Sequence, residues 1–571
     1  MLKAALLRKR LAPSLSLDFT KGFPADSRLT FSRNSLATLT QADGTIGWCP
    51  NNLIPNSRAV GGSAGNWPSG WGMAQTPPGC TAAVVGAGTD FVDVQFAGTP
   101  TNGQAFLVYP SAVAVQPGNY FWSLAISLTS GVAPIVTIAG QNIGASATMA
   151  ILDGVRRGIP CTPTTAVTGA VPWVQINTNG QGVALTPFTL RFATPQFEAG
   201  ATMGPYLPTA GAPYYGPRID YDPVTLACRG LLVEPQRTNI VTNSIGAGAV
   251  IGAEVNTIGG WSHPNYGGLN SSIVGVGVEG GVNYVDVRFY GTTTNAQGFN
   301  VDVLTGGVSV TPLATYTFSS YVRLVAGSLT GISSIYSYFD NVKSDGTFAG
   351  GFTGPSWTPN GSALQLQRRS ITTTLASTTA VVNYRVFWAQ IPSGTSIDCT
   401  LRIGLPQVER GTEVSTPIPT SGVSATRAAD QAQIAVGPWY RGDQGTFITE
   451  FDAVNTGALG NPIAIDSGSP SYLGCQGAAV IGSWSGSKLL AAPGSLITNS
   501  PNKAAITYST IGRTICLNAG ATSSDAAVMP SASSFIGAGG SPNQGNINGH
   551  IRKLTYYPFA VQPSTQQNFT R

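Results

Sequence analysis

An all-β chain built of tandem antiparallel β-sandwich (jelly-roll) domains is what this sequence predicts, and three observations carry the prediction. Strands are punctuated at short intervals by Gly, Pro and Asn, with 71 Gly and 39 Pro in 571 residues, which suits strands and tight turns far better than helices. Apolar residues alternate with polar ones: Val92, Val94 and Phe96 fall on one side of a strand and Phe91, Asp93 and Gln95 on the other. The chain also contains itself twice. FVDVQFAGTPTNGQAF at 91–106 and YVDVRFYGTTTNAQGF at 284–299 agree at ten of sixteen positions, offset by 193. A period of that size is a whole domain rather than a solenoid unit, whose repeats run about 20–50 residues.

In chain order, MLKAALLRKRLAP (1–13) reads as a short basic arm. Its apolar stretch, Ala4–Leu7, is too short for a secretory signal, which needs about 7–15 residues. Residues 14–50 alternate and turn at Asp43-Gly44, giving the first part of a small β unit. Residues 213–238, with a turn at Asp222-Pro223, complete it. Between them, 51–212 forms the first repeat, inserted as a sandwich at an exposed loop. Residues 239–424 form the second. The copies open alike, NLIPNS at 52–57 and NIVTNS at 239–244, and close alike, TLRFATPQFEAGA at 189–201 and TLRIGLPQVERGT at 400–412. From 425 to 571 a third module follows, with strands at Gly445–Ala453, Ala505–Ser509, Arg513–Gly520 and His550–Ala560. No segment longer than a turn or two reads as helix.

Composition narrows the function classes. Charged residues are 10% of the chain, against about 25% in an average domain, while 10 Trp, 19 Tyr and 22 Phe supply ample core and exclude disorder. The net charge of +5 is spread out, so no nucleic-acid groove is expected. No apolar run approaches the roughly 20 residues of a membrane helix, so no membrane insertion is expected. Seven scattered cysteines without a CxxC pair point to reduced thiols and cytoplasmic folding rather than a disulfide framework.

Pro195–Thr209 and Pro406–Thr420 resemble the Pro-Gln-x-Glu-x-Gly closing motif of carbohydrate-binding-module-like sandwiches in tailed-phage structural proteins. RIDYDPVTLACRGLLVEPQRTN (218–239), with LTFSRNSLAT upstream, is similar to a signature of phage tail-fibre and other virion-surface proteins. The C-terminal section resembles a concanavalin A-like (laminin-G-like) lectin sandwich. The resemblance implies a virion-surface component (tail fibre, spike or head fibre) that meets host-surface glycans. It also implies a homotrimer, with other virion proteins held through the N-terminal region. Two alternatives stay open: a capsid decoration or tail-assembly protein that binds no sugar, and a polysaccharide depolymerase.

A glycan site needs exposed aromatics beside hydrogen-bonding side chains. The candidates are Phe91, Asp93 and Gln95 in the first repeat and Tyr284, Asp286 and Arg288 in the second, with Trp67, Trp71 and Trp261 in the loops. The shared Gln196, Glu198, Gln407 and Glu409 are read as determinants of the fold. Catalytic signals are thin. His263 and His550 are the only histidines, too few for a three-histidine zinc site. Gly61–Gly65 matches GxSxG but lies in a Gly-rich loop rather than between strand and helix. The chain is therefore expected to be no enzyme and to carry no cofactor. Members of the lectin-like class often bind Ca²⁺; Asp452, Asp466 and Asn548 are available, but no dense acidic loop supports it.

Overall fold

A computed structural model describes residues 12–571 except 265–266, 297, 454–459, 466–470, 477–479, 486–487, 498–499, 530–533 and 541–544. The basic arm up to residue 11 and Asp466 lie outside the described residues. The chain is all-β, with antiparallel sheets throughout. The one α-helix among the described residues is two turns at Pro563–Phe569. It divides into two compact units, 48–216 and the remainder.

The first unit holds the first repeat as a two-sheet sandwich. One sheet runs Arg157–Cys161, Tyr120–Ser130, Leu185–Ala199, Phe91–Gly98 and Cys80–Gly88. The other runs Thr148–Met149, Val136–Gln141, Val167–Ile176, Phe106–Tyr109 and Gly72–Gln75. Val92, Val94 and Phe96 are fully buried between them, the half-buried alternation that antiparallel sandwich strands require.

The second repeat has the same plan. Asn270–Glu279, Val282–Thr292, Ser396–Arg410, Thr315–Ser328 and Arg368–Thr374 form one sheet, and Phe299–Asp302, Val381–Gln390, Ser334–Val342 and Phe348–Ser356 the other. Val285, Val287 and Phe289 fill the core positions of their counterparts.

Shared signatures form a latch that closes each sandwich. In the first copy Asn52 bridges Pro195 O and Leu207 O, and its own carbonyl accepts from Ile54 N and Phe197 N. Asn239 makes the matching four bonds to Pro406, Ile418, Val241 and Val408. Thr209 and Ser57 exchange bonds in one copy, as Thr420 and Ser244 do in the other, each near 2.8 Å. Gln196 and Gln407 each accept from a tail amide at 2.7 Å. Glu198 and Glu409 each hold another, from Gly204 and Ser415. Buried polar groups are tolerable only when satisfied in this way. Their spacing in sequence is thus the spacing of a closure.

The segments expected to make a separate small β unit are instead strands of the C-terminal sandwich. Leu15–Asp18 pairs with Lys553–Tyr556, and Cys228–Val233 pairs with Gly549–Ile551, so two segments some 200 residues apart share one edge of the same strand. Leu29–Ser32 pairs with Gln431–Ala435 in the opposite sheet. The physical reason is hydrophobic: Leu15, Leu17 and Phe19 are buried in one cluster with Phe447, Phe451 and Tyr556, so their apolar faces are covered by the strands of the C-terminal section. Both repeats are therefore insertions into one discontinuous sandwich.

A buried ionic junction joins the segments of this second unit. Arg218, fully buried, bonds Glu234 at 2.5 Å, Thr38 O at 3.0 Å, Thr416 Oγ1 at 2.8 Å and the Asp430 carboxylate. Arg33 reaches Asp430 at 2.6 Å, and Arg427 reaches Glu234 at 2.7 Å. Burial alone would raise the Glu234 carboxyl, but Arg427 and Arg218 hold it well below the usual range. Nearby, His550 lies between Asp452 at 2.6 Å and Asp220 at 2.9 Å. Burial opposes its charge, yet the two carboxylates push it up to about 9.

Candidate binding face

The residues proposed from the repeat are largely occupied in holding it together. Asp93 takes a bidentate fork from Arg191 at 2.8 and 2.9 Å, and that guanidinium stacks on Phe91, 3.7 Å from the ring centre. The second copy repeats the arrangement: Arg402 grips Asp286 at 2.7 and 2.8 Å and stacks on Tyr284 at 3.5 Å. A fork of this kind satisfies the carboxylate, so Asp93 and Asp286 brace neighbouring strands. Arg191 and Arg402, inside the two TLR triplets, are the partners the sequence did not assign.

Arg288 pairs with Asp398 at 2.6 Å on the exposed surface, and Gln95 is exposed opposite Thr189. Trp67 is half-buried. Trp71 and Trp261 are core residues, 6% and 2% exposed. Their indole N–H groups donate to Asn56 O and Asn243 O at 2.7 and 2.8 Å, again the same contact in both copies. They plug the sandwiches and offer no platform to a ligand.

A different face gathers aromatic and polar side chains. On the outer side of the second repeat's second sheet, Trp388 lies beside Asn300 and Tyr336, and Arg385 beside Asp302 and Tyr338, on adjacent strands. Tyr336, Tyr338 and Trp388 are all half-buried. Arg385 contacts Asp340 at 2.8 Å and Asp302 at 3.6 Å, and its guanidinium lies 4.3 Å from the Trp388 ring and 5.0 Å from Tyr338. Asn300 donates to Asp302 at 2.6 Å. Burial pushes the Asp302 carboxyl up to about 6 against the opposing pull of Arg385. Gln390 and Ser334, joined at 3.0 Å, border the face.

A β-bulge creates it. Arg385 and Trp388 are three residues apart, which on a regular strand puts them on opposite faces. Their partners on each neighbouring strand are two apart, Asn300 with Asp302 and Tyr336 with Tyr338, and the register shifts between them on both sides. The extra residue brings both side chains outward, as bulges commonly do beside functional sites. In the first repeat the strand Val167–Ile176 shows no register shift against Phe106–Tyr109 or Val136–Gln141. Gln175 sits between Leu107 and Thr137 in regular register, and no arginine–aspartate–aromatic cluster stands at these positions.

Other expected features take structural places. Asp452 is bound to His550 and Arg229, and Asn548 donates to Glu413. Among the described residues no group of three or more His, Cys, Asp or Glu side chains is arranged to hold a metal ion. The GxSxG serine lies in a loop and accepts from Asn66.

No family model matches the chain and no curated protein matches its sequence. Solved structures similar to it include two kinds of carbohydrate-binding module. One is the CBM22-1–CBM22-2 tandem from Paenibacillus barcinonensis Xyn10C, at 13% identity and TM-score 0.20, over 64% of this chain and 98% of that one. Another is the Ruminococcus gnavus IT-sialidase CBM40 bound to α2,3-sialyllactose, at 16% identity and TM-score 0.20, over 22% and 82%. Trypanosoma rangeli sialidase also matches, at 9% identity and TM-score 0.21, over 96% and 99%. Sialidases among the neighbours remove the ground for excluding an enzyme, and that expectation is corrected. Scores this low carry no argument for an activity.

Proposed function

We propose that this protein is a glycan-binding adhesin of a virion surface, contacting host carbohydrate through the outer face of its second repeat. The observation that carries the reading is the convergence of Tyr336, Tyr338 and Trp388 with Arg385, Asp302 and Asp340 on that face. Aromatic rings match the apolar faces of sugars, and an adjacent polar set fixes their hydroxyls. The three rings are half-buried and stand on the side of the sheet away from the core.

The virion placement is supported by the closing motifs and the 218–239 signature. Attachment through the basic arm, a homotrimeric state and folding in the host cytoplasm before assembly belong to the same proposal. A trimer would multiply weak sites through effective concentration. No cofactor enters it.

The test is adsorption to host cells and to a glycan array, comparing the intact chain with Trp388→Ala. Binding that falls with Trp388→Ala supports the adhesin. Silence of the intact chain on both, together with recovery on purified capsids or tails, would favour a decoration or assembly protein instead.

A further inference from the structure

The chemistry of the same face narrows what it can hold. We infer that it accepts uncharged sugar rings and rejects carboxylated ones, such as uronic and sialic acid residues. This rests on the glycan-binding reading above and adds a selectivity to it.

The argument begins with donors and acceptors. A sugar carboxylate is recognised by a guanidinium or ammonium group whose N–H bonds point at it. Arg385 is the cation at the centre of this face, and it is already engaged. Asp340 holds it at 2.8 Å, Asp302 approaches it at 3.6 Å, and the rings of Trp388 and Tyr338 cover its plane. No second cation stands in the adjoining rows of these strands, which pair Asn300 with Trp388, Asp340 with Asn383 and Ser334 with Gln390.

What the face does present is acceptors. Asp302 and Asp340 contribute carboxylate oxygens, each side chain keeping a little exposure beside Arg385. Sugar hydroxyls donate to such atoms. A sugar carboxylate brings only further acceptors and a like charge, and like charges set against each other at an interface are strongly disfavoured. Two carboxylates against one guanidinium leave the local balance negative.

Arg385 would then act as an organiser. It fixes both aspartates and stacks the aromatic rings before any ligand arrives, which lowers the cost of ordering them on binding.

The experiment uses the intact chain in affinity electrophoresis and calorimetry. The neutral probes are xylan, mannan and β-1,3-glucan; the carboxylated probes are polygalacturonate and polysialic acid. Trp388→Ala reports whether a signal comes from this face. The expected result is Trp388-dependent retention by at least one neutral polymer, with the carboxylated polymers weaker by at least about tenfold at low salt. That gap should narrow near about 1 M salt, where charges are screened beyond about 3 Å. Trp388-dependent binding of a carboxylated polymer as tight as any neutral one overturns the selectivity and leaves the glycan reading standing. No retention by any polymer overturns the glycan reading, and the selectivity with it. Retention that Trp388→Ala does not change puts the sugar elsewhere and overturns the assignment to this face.

Discussion

Asp93 and Asp286 show how far a single residue can be read from sequence. Their repetition between copies marks them as important, and their place beside an aromatic suggests a ligand. What sequence withholds is the cross-strand partner about a hundred residues away. With Arg191 and Arg402 in place, the same repetition describes a brace. Arg191 is partly exposed, so Asp93→Ala should lower stability by only about 0.5–1 kcal/mol, a small shift in a thermal melt, and leave glycan retention intact. Trp388→Ala should do the reverse. It removes a half-buried ring from the face and should weaken binding by about tenfold or more, the scale of an aromatic anchor, while the melt moves less than for a core tryptophan. Trp261→Ala, deep in the sandwich, should cost about 3–5 kcal/mol, seen as a large drop in melting temperature.

At the scale of elements, the alternation of strands and the opening and closing signatures were legible, because a half-buried sheet imposes period two and a latch imposes fixed partners. Val92, Val94 and Phe96, with Val285, Val287 and Phe289, lie in the core as their spacing requires. The binding face was not legible for a related reason. In VVNYRVFWAQ, strict alternation groups Trp388 with Val382, Tyr384 and Val386 and separates it from Arg385. The bulge that reunites them leaves no mark in the pattern. The latch gives a test that needs no ligand. Thr420→Val deletes the hydroxyl that accepts from Ser244 N and donates to Val241 O. Leaving those backbone groups buried and unpaired should cost about 1–3 kcal/mol each way, and Thr209→Val should cost a similar amount, both measured by denaturant titration.

For the whole molecule, the sequence suggested three modules and a small split unit, and the split unit proved to be the rim of the third module. Nothing in Leu15–Asp18 announces a partner more than five hundred residues away, since strand pairing leaves little trace in local composition. The same topology predicts how the discontinuous sandwich fails. Asp430→Ala strips a buried carboxylate from between Arg33 and Arg218 and should destabilise that unit by about 3–5 kcal/mol. A melt resolving two transitions should show the one from the 48–216 unit unmoved. His550 adds a pH dependence. Its folded value is raised from 6.5 to about 9, so its contribution is complete below about pH 6.5 and is lost as pH rises through about 9. Stability of the wild type should therefore fall between those values in denaturant titrations, and Asp220→Asn should flatten the slope.

The central claim is that carbohydrate meets this protein at Trp388 and its neighbours. Calorimetric titration of the intact chain with the glycan that best retains it, beside Trp388→Ala and Phe91→Ala, tests that claim most directly. The account predicts that Trp388→Ala loses the binding heat and that Phe91→Ala keeps it. Loss with Phe91→Ala and retention with Trp388→Ala would contradict it.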